Sequence, residues 1–290
     1  MTDSISARLQ QFVADAPLTD VELKVLRICI SCKPIAHDVL DKLIDEFGHD
    51  PDALTKLRQP VIALLALVSA HASTYPRVIL DAWRKRLKGA LALELARAKE
   101  FNKIVAPIVA SERLRALEPI VIKGSAIAAS CYPNGFHRHT SHFSLLVQSP
   151  DHFPATTEVM EANGCRLEHD AASGSRQLFR HSSGMPVFVF GGRPCNRLRD
   201  FNYDVIRPNA KERMIAGQKA LVPSESALWT ELVYSANVYG DHFDPQWIVD
   251  SVFLTREFND LITSPNSHHL DSRINLPYRK YGKIVAEFID

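Results

Sequence analysis

A change of hydrophobic period near residue 118 constrains this chain more than any other feature. Before it, apolar residues recur at three and four positions, the spacing of a helix with one buried face. After it, short apolar and β-branched runs are separated by Gly, Ser, Asn and Pro, and from Ser224 the helical spacing returns. A stripe of period 3.6 is buried against other helices, and a stripe of period two is buried in a sheet. Helices, then strands, then helices predict an α+β protein whose sheet is mostly antiparallel. The chain has 290 residues, 46% of them hydrophobic, enough for one large or two small domains with full cores. The expected regions are 1–118 (helical), 119–215 (an α/β core) and 216–290 (helices and a tail).

Within the first region, "TDVELKVLRICISC" places Val21, Leu23, Val25, Leu26, Cys29 and Ile30 largely on one side of a helix, with Thr19 or Asp20 as its cap and Pro34 as its stop. "IAHDVLDKLIDEFGHDPDA" predicts a second helix closing near Gly48. "LTKLRQPVIALLALVSAHA" predicts a third, kinked or restarted at Pro60. The longest helix is expected to bury a stripe of Leu80, Trp83, Leu87, Leu91, Leu95 and Ala98. Arg84, Lys85, Arg86 and Lys88 flank that stripe, either as a solvated face or as a polyanion contact. The "CISC" spacing falls in an amphipathic helix, so Cys29 and Cys32 are expected as core residues. Trp229, Tyr234 and Tyr239 have the same expectation from their helical spacing, and "NSHHLDSR" at 266–273 is expected as a surface loop.

In the middle region "PIVIKGSAIAASCYP" predicts a strand, a tight turn and a short helix of small residues, and "SHFSLLVQS" predicts a strand. "DHFPATTEVMEANG" is a helix ending at Gly164. "CRLEHD", "RQLFRHS", "MPVFVFGG" and "DFNYDVIRP" are expected as short strands, with Gly191-Gly192 as a turn. "ESALWTELVYSANVYG" and "PQWIVDSVFLTREFNDLI" are the closing helices.

The charge balance, 34 Lys+Arg against 33 Asp+Glu, provides no general attraction to nucleic acid or to anionic membrane. Five widely spread cysteines are an odd number and do not make a disulfide framework. Cys195 has no His/Asp partner nearby in sequence and is not expected as a nucleophile. "MTDSISARLQQF" lacks the basic and apolar regions of a secretory signal, and the longest apolar run, "PVIALLALVSAHA", is too short to span a bilayer. A cytoplasmic location without membrane or nucleic-acid partners is the expectation.

The densest chemistry lies in "GFHRHTSHFSLLVQS" at 135–149, where His137, His139 and His142 surround Arg138 at the mouth of a strand. H-x-H-x-x-H suits two or three imidazole ligands to zinc or another transition metal, with Asp200 or Asp204 reaching across the sheet; loop histidines facing solvent are the simpler alternative.

"VIKGSAIAASCYPNGFHRHTSHFSLLV" resembles the polymerase-β-like nucleotidyltransferase superfamily, and more narrowly a bacterial family of uncharacterised nucleotidyltransferases. Members of that family read L-K-G-x-A-L-A, then Y-P, then R-x-x-S-D-I-D-L-L-V. "IKGSAIA", Tyr132-Pro133 and "RHTSHFSLLV" fall at matching intervals, and Trp247 and Asp250 fit the family's helical tail in a likeness that runs over about residues 55–255. The resemblance implies a polymerase-β-like core. In it, a Gly-Ser turn at a helix N-terminus offers N–H groups and a hydroxyl to phosphates, and carboxylates on neighbouring strands hold two divalent cations. Lys123, Gly124 and Ser125 retain the turn, with Arg138 beside it as a candidate phosphate ligand.

The carboxylates are not retained. The resemblance sets His142 and Ser144 where D-x-D would stand, and Asn202 for the third carboxylate, with Asp200 and Asp204 sharing its face if that segment is a strand. Mg²⁺ requires hard and usually anionic oxygen ligands, which His142, Ser144 and Asn202 do not supply. The resemblance therefore implies a catalytically degenerate protein that binds a nucleotide-like or phosphorylated ligand, or a partner protein. The alternative is an active nucleotidyltransferase in which Asp200 and Asp204 join His142 in holding Mg²⁺ and an NMP passes to a small molecule or a protein.

Overall fold

The computed structural model describes residues 18–31, 33–170, 175–194, 201–238 and 245–262. It divides into two compact units, one formed by the residues up to Leu95 and from Trp229 onward, the other by Ala96–Leu228. Sequence boundaries at 118 and 215 followed the change from helix to strand, whereas the compact units divide within helices.

The first unit is helical. Helix α1 (Asp20–Ile30) opens on a capping box. The Thr19 hydroxyl accepts from Glu22 N, and the Glu22 carboxylate accepts from Thr19 N. Glu22 is buried and also receives both arms of the Arg58 guanidinium, at 2.9 and 2.8 Å. Burial works to raise the Glu22 pKa, but the hydrogen bonds from Arg58 and Thr19 outweigh it and hold the carboxyl below its usual range. Pro34 does not end α1. It lies in the first turn of α2 (Lys33–Phe47), where a proline lacks only an N–H that would have no intrahelical partner. Pro60 likewise starts the short α3 (Gln59–Ile62), followed by α4 (Leu65–Ala72). Cys29 is buried, with its thiol 3.7 Å from Leu64 O, as core packing predicts; Cys32 lies outside the described residues.

Helix α5 (Asp81–Ala110) buries Trp83 and Leu87 from the expected stripe, but Leu80 and Leu95 are exposed, at 39% and 43%. The next buried position is Glu94. After the Ser111-capped turn α6 (Glu112–Arg115), the second unit contains a seven-stranded sheet in the order β3-β4-β5-β2-β1-β7-β6. The strands are β1 (Ile120–Val121), β2 (Phe143–Val147), β3 (Cys165–Asp170), β4 (Arg176–His181), β5 (Pro186–Gly191), β6 (Lys211–Ile215) and β7 (Gln218–Val222). Pairing is parallel for β1–β7 and β2–β5 and antiparallel elsewhere, so the sheet is mostly antiparallel, as the sequence predicts.

Helix α7 (Lys123–Cys131) follows β1, and α8 (Phe153–Ala162) links β2 to β3. The described part of "DFNYDVIRP", from Phe201 on, is not a strand. Phe201 is buried, Asn202 caps the short helix α9 (Tyr203–Ile206), and a 3₁₀ turn over Arg207–Asn209 completes the segment. The helices α10 (Glu225–Val238) and α11 (Pro245–Ile262) occupy the places read as closing helices. Trp229 and Asp250 are buried; Tyr239 and residues 266–273 lie outside the described residues. No helix among the described residues is long and apolar enough to cross a membrane.

The sheet has two unlike faces. Val121, Phe143, Leu145, Val147, Phe179, Val187 and Val189 point to one, by strand alternation and register, and all are buried. Phe101 of α5 meets Phe143 edge-on there, and Phe153 of α8 lies against Gly191. On the other face Ile120, Ile122, Leu146, Phe190, Phe201, Tyr203 and Ile206 form a smaller core. Phe188, Leu221 and Ala227, partly buried, pack against that core, and Ser144 and Arg176 are not among its members.

Candidate functional site

The site begins where β1 ends. Ile122 is extended and its N–H donates to Ser144 O at 3.1 Å, tying the end of β1 to β2. The chain then turns at Lys123 with φ +61, a left-handed conformation that costs a non-glycine residue about 1–2 kcal/mol. Pairing before the turn and burial of Ser125, Ala126, Ile127 and Ala128 after it hold the strain in place. Such strain concentrates at ligand sites because only a rigid surround maintains it. Lys123 Nζ lies 4.7 Å over the Phe190 ring, a cation–π contact that draws the ammonium along the sheet.

Arg138 reaches the same turn from the loop after α7. Its N–H donates to Gly135 O at 3.4 Å, and Nη1 donates to His139 O at 3.1 Å. The guanidinium lies directly on Gly124. A Cβ there would overlap Nη1 and stand 3.1 Å from Cζ. Gly124 has no left-handed φ, so this glycine supplies room for Arg138 rather than an unusual backbone.

β2 supplies the floor. Ser144 shares a face with His142 by alternation and pairs with Phe188 of β5, as Leu146 pairs with Phe190. Ser144 is 1% exposed and Ser125 5%, and neither hydroxyl has a hydrogen-bond partner. A buried hydroxyl without a partner costs about 1–3 kcal/mol, so one stands unsatisfied in the first turn of α7 and another on β2. The His142 ring stands edge-on to Phe188 at 5.4 Å, with Ser141 Oγ 3.2 Å from Nδ1. Arg176 Cζ lies 5.8 Å from the Phe188 ring centroid. Burial, then the charges of Lys123 and Arg138, push the His142 pKa down to about 4, so the imidazole is neutral at pH 7.

Five sequence-predicted residues therefore meet on one face, Lys123, Gly124, Arg138, His142 and Ser144, and Ser125 follows them as a buried residue in the first turn of α7. Asn202 does not join them as a strand residue. Its side chain accepts from Val205 N at 3.1 Å and caps α9. Asp204 is exposed in the first turn of that helix, so no strand face carries Asn202 and Asp204 together; Asp200 lies outside the described residues. Phe188, Phe190 and Arg176 complete the face and escaped the sequence reading. "MPVFVFGG" is legible as a strand, but its pairing with β2, which sets Phe188 abreast of Ser144, is non-local and leaves no short-range signal.

Among the described residues no group of three or more His, Cys, Asp or Glu is arranged to hold an ion. His137 is buried against Phe136, which lowers its pKa, and its Nδ1 has no partner. Asp200, a candidate ligand in the two-cation reading, lies outside the described residues. His142, Ser144 and Phe188 offer an imidazole, a hydroxyl and a phenyl ring, with cations alongside, where hard dications need anionic oxygens. A separate cavity of about 580 Å³, lined by Val109, Val121, Leu145, Met214 and Leu221 among others, includes residues of the opposite face.

No family model and no curated protein matches the chain. Among solved structures it is similar to the solution structure of the antibiotic-resistance factor ANT(2'')-Ia, at 13% identity and a TM-score of 0.45 over 66% of this chain and 95% of that one. It is also similar to the crystal structure of ANT(2'')-Ia in complex with adenylyl-2''-tobramycin, at 13% identity and a TM-score of 0.46 over 63% and 98% of the respective chains.

Proposed function

We propose that this chain is a protein of nucleotidyltransferase type that binds a nucleotide-like or phosphorylated small molecule on the Lys123–Arg138–Ser144 face and does not perform two-metal nucleotidyl transfer. The observation that carries this reading is the register of β2 with β5. The position abreast of Ser144 on its parallel neighbour is Phe188, so the third carboxylate expected from the resemblance has its counterpart at Phe188 rather than Asn202. The triad then reads His142, Ser144, Phe188, with no anion in it. The turn over Lys123, Gly124 and Ser125 opens a nine-residue helix, whose N–H groups and dipole favour an anion. Lys123, Arg138 and Arg176 bring positive charge to the same face.

Chemically, the face can bind and orient a phosphoryl group, shield it on its aromatic side with Phe188 and Phe190, and present a neutral imidazole at His142. Among the described residues the face offers no carboxylate to hold a metal ion that would activate a hydroxyl. Titration calorimetry with ATP, CTP, GTP and UTP in Mg²⁺, run beside a pyrophosphate-release assay, tests this. Binding without release of pyrophosphate is expected. Release from any of the four, or binding of none, overturns the reading.

A further inference from the structure

We infer that the cavity of about 580 Å³ that includes Val121 and Leu145 of the opposite sheet face is a second ligand site, and that it takes a small apolar carboxylic acid, a hydrocarbon body with one carboxylate end. The inference does not depend on the reading of the Lys123–Arg138–Ser144 face. Every residue lining the cavity belongs to the one compact unit Ala96–Leu228.

The apolar part of the lining comes from elements far apart in sequence. Val109 lies in the last turn of α5, Leu114 in α6, Val121 on β1 and Leu145 on β2, and all four are buried. Val121 and Leu145 are partners across the β1–β2 ladder, so the two strands present one continuous apolar floor. The volume falls in the range of about 300–1,000 Å³ typical of small-molecule sites, whose walls are mostly apolar with a few polar groups that fix orientation. An aliphatic floor favours a hydrocarbon body, because burying it removes apolar surface from water on both sides.

The charges around the cavity fix the sign of the other end. Arg115, Glu118, Glu212 and Lys219 all line it. Glu212 is paired with Lys219 at 2.9 Å and Glu118 with Arg207, so both acids are already answered. Among the described residues Arg115 has no charged partner. Its Nε donates at 3.1 Å to Val109 O, one of the last carbonyls of α5, which lack donors within their own helix. Its Nη2 donates at 3.2 Å to Gln218 Oε1 on β7. Both acceptors are neutral. They orient the guanidinium from two sides without cancelling its charge, and Nη1 donates to no described residue. A guanidinium stays protonated and its planar fork matches a carboxylate, so an anionic end is selected over a neutral or cationic one.

The test is titration of octanoate into the full chain, followed through the methyl resonances of Val121 and Leu145, beside 1-octanol, octylammonium and acetate. Octanoate should bind and move both methyl sets. Octanol, which keeps the apolar body and loses the charge-assisted bond, should bind about tenfold more weakly. Octylammonium and acetate should leave those methyls in place. Arg115 is exposed, so Arg115→Gln keeps the packing and should weaken octanoate about tenfold while leaving octanol unchanged. Ala220→Leu, which puts a larger side chain into the lining, should weaken octanoate and octanol alike. Failure of octanoate to move the Val121 and Leu145 methyls overturns the inference. So does equal binding of octanoate, octanol and octylammonium, or octanoate binding that Arg115→Gln does not change. None of these outcomes bears on nucleotide binding at the other face, which is measured separately.

Discussion

The two faces of the seven-stranded sheet share every backbone hydrogen bond and differ in almost everything else. On one, Phe143, Leu145, Val147, Val187 and Val189 are all buried, with Phe101 and Phe153 against them. On the other, the same strands, one residue out of phase, carry Ser144, Phe188 and Arg176, with Lys123 and Arg138 brought in by the turn and the loop. Period-two alternation lets one strand serve both purposes, since a change of side chain on one face leaves the other untouched. The sealed face supplies rigidity, and the open face spends some of it on a left-handed lysine and two unpartnered hydroxyls.

Truncation gives the largest expected contrast. Phe143→Ala empties a fully buried position and should cost about 3–5 kcal/mol in denaturant unfolding, with the cavity adding to the lost transfer energy. Phe188→Ala, at a half-buried position on the open face, should cost about 1–2 kcal/mol and at the same time weaken tripolyphosphate binding by unseating His142 and Arg176. Equal stability losses from the two would break the distinction between the faces.

Lys123→Gly separates fold from ligand more sharply. Glycine adopts φ +61 without the Cβ penalty, so the variant should gain about 0.5–1 kcal/mol, read as a higher midpoint in urea, while losing phosphate affinity. A destabilised variant would mean that the Phe190 contact outweighs the backbone strain.

His142 supplies a pH signature of the open face. Its ¹³C/¹⁵N-resolved imidazole should titrate near pH 4, and its pKa should rise in Arg138→Gln, where one of the two cations is gone. The sign follows from linkage. The unfolded state takes up this proton near the ordinary histidine pKa of about 6.5 and the folded state only near 4, so the neutral ring's contribution to stability is full above about pH 6.5 and is lost progressively as the pH falls toward 4. A titration near 6.5 would mean that neither burial nor those charges act on the ring. The smallest effect belongs to the sealed face. Thr157→Val removes a 3.4 Å hydrogen bond to the buried Gln177 and should cost about 0.5–1 kcal/mol without changing phosphate affinity.

Much of the fold is legible in the residues because its causes are local. Thr19 and Glu22 announce the start of α1, Gly164 the end of α8, and the alternation in "RQLFRH" and "PVFVFG" the strands β4 and β5. The β6–β7 hairpin went unread although its signal is short-range. Ala216 and Gly217 form a two-residue turn with φ +51 and +78, but an alanine there disguises a geometry usually marked by Asn-Gly. "DFNYDVIRP" misleads in the opposite direction. Val205 and Ile206 favour a strand by composition, and the cap formed by the Asn202 side chain on Val205 N decides for a helix.

By itself, then, the sequence determined the α+β class, the strand–turn–helix around Lys123, Gly124 and Ser125, and the absence of carboxylates at His142 and Ser144, because each is written in period, spacing or residue type. The tertiary structure alone decided that Phe188 stands beside Ser144, that Arg138 lies on Gly124, and that Asn202 and Asp204 belong to a helix. Those outcomes depend on which strands pair and in what register, which is selected by burial summed over the whole sheet and is not encoded in any one segment.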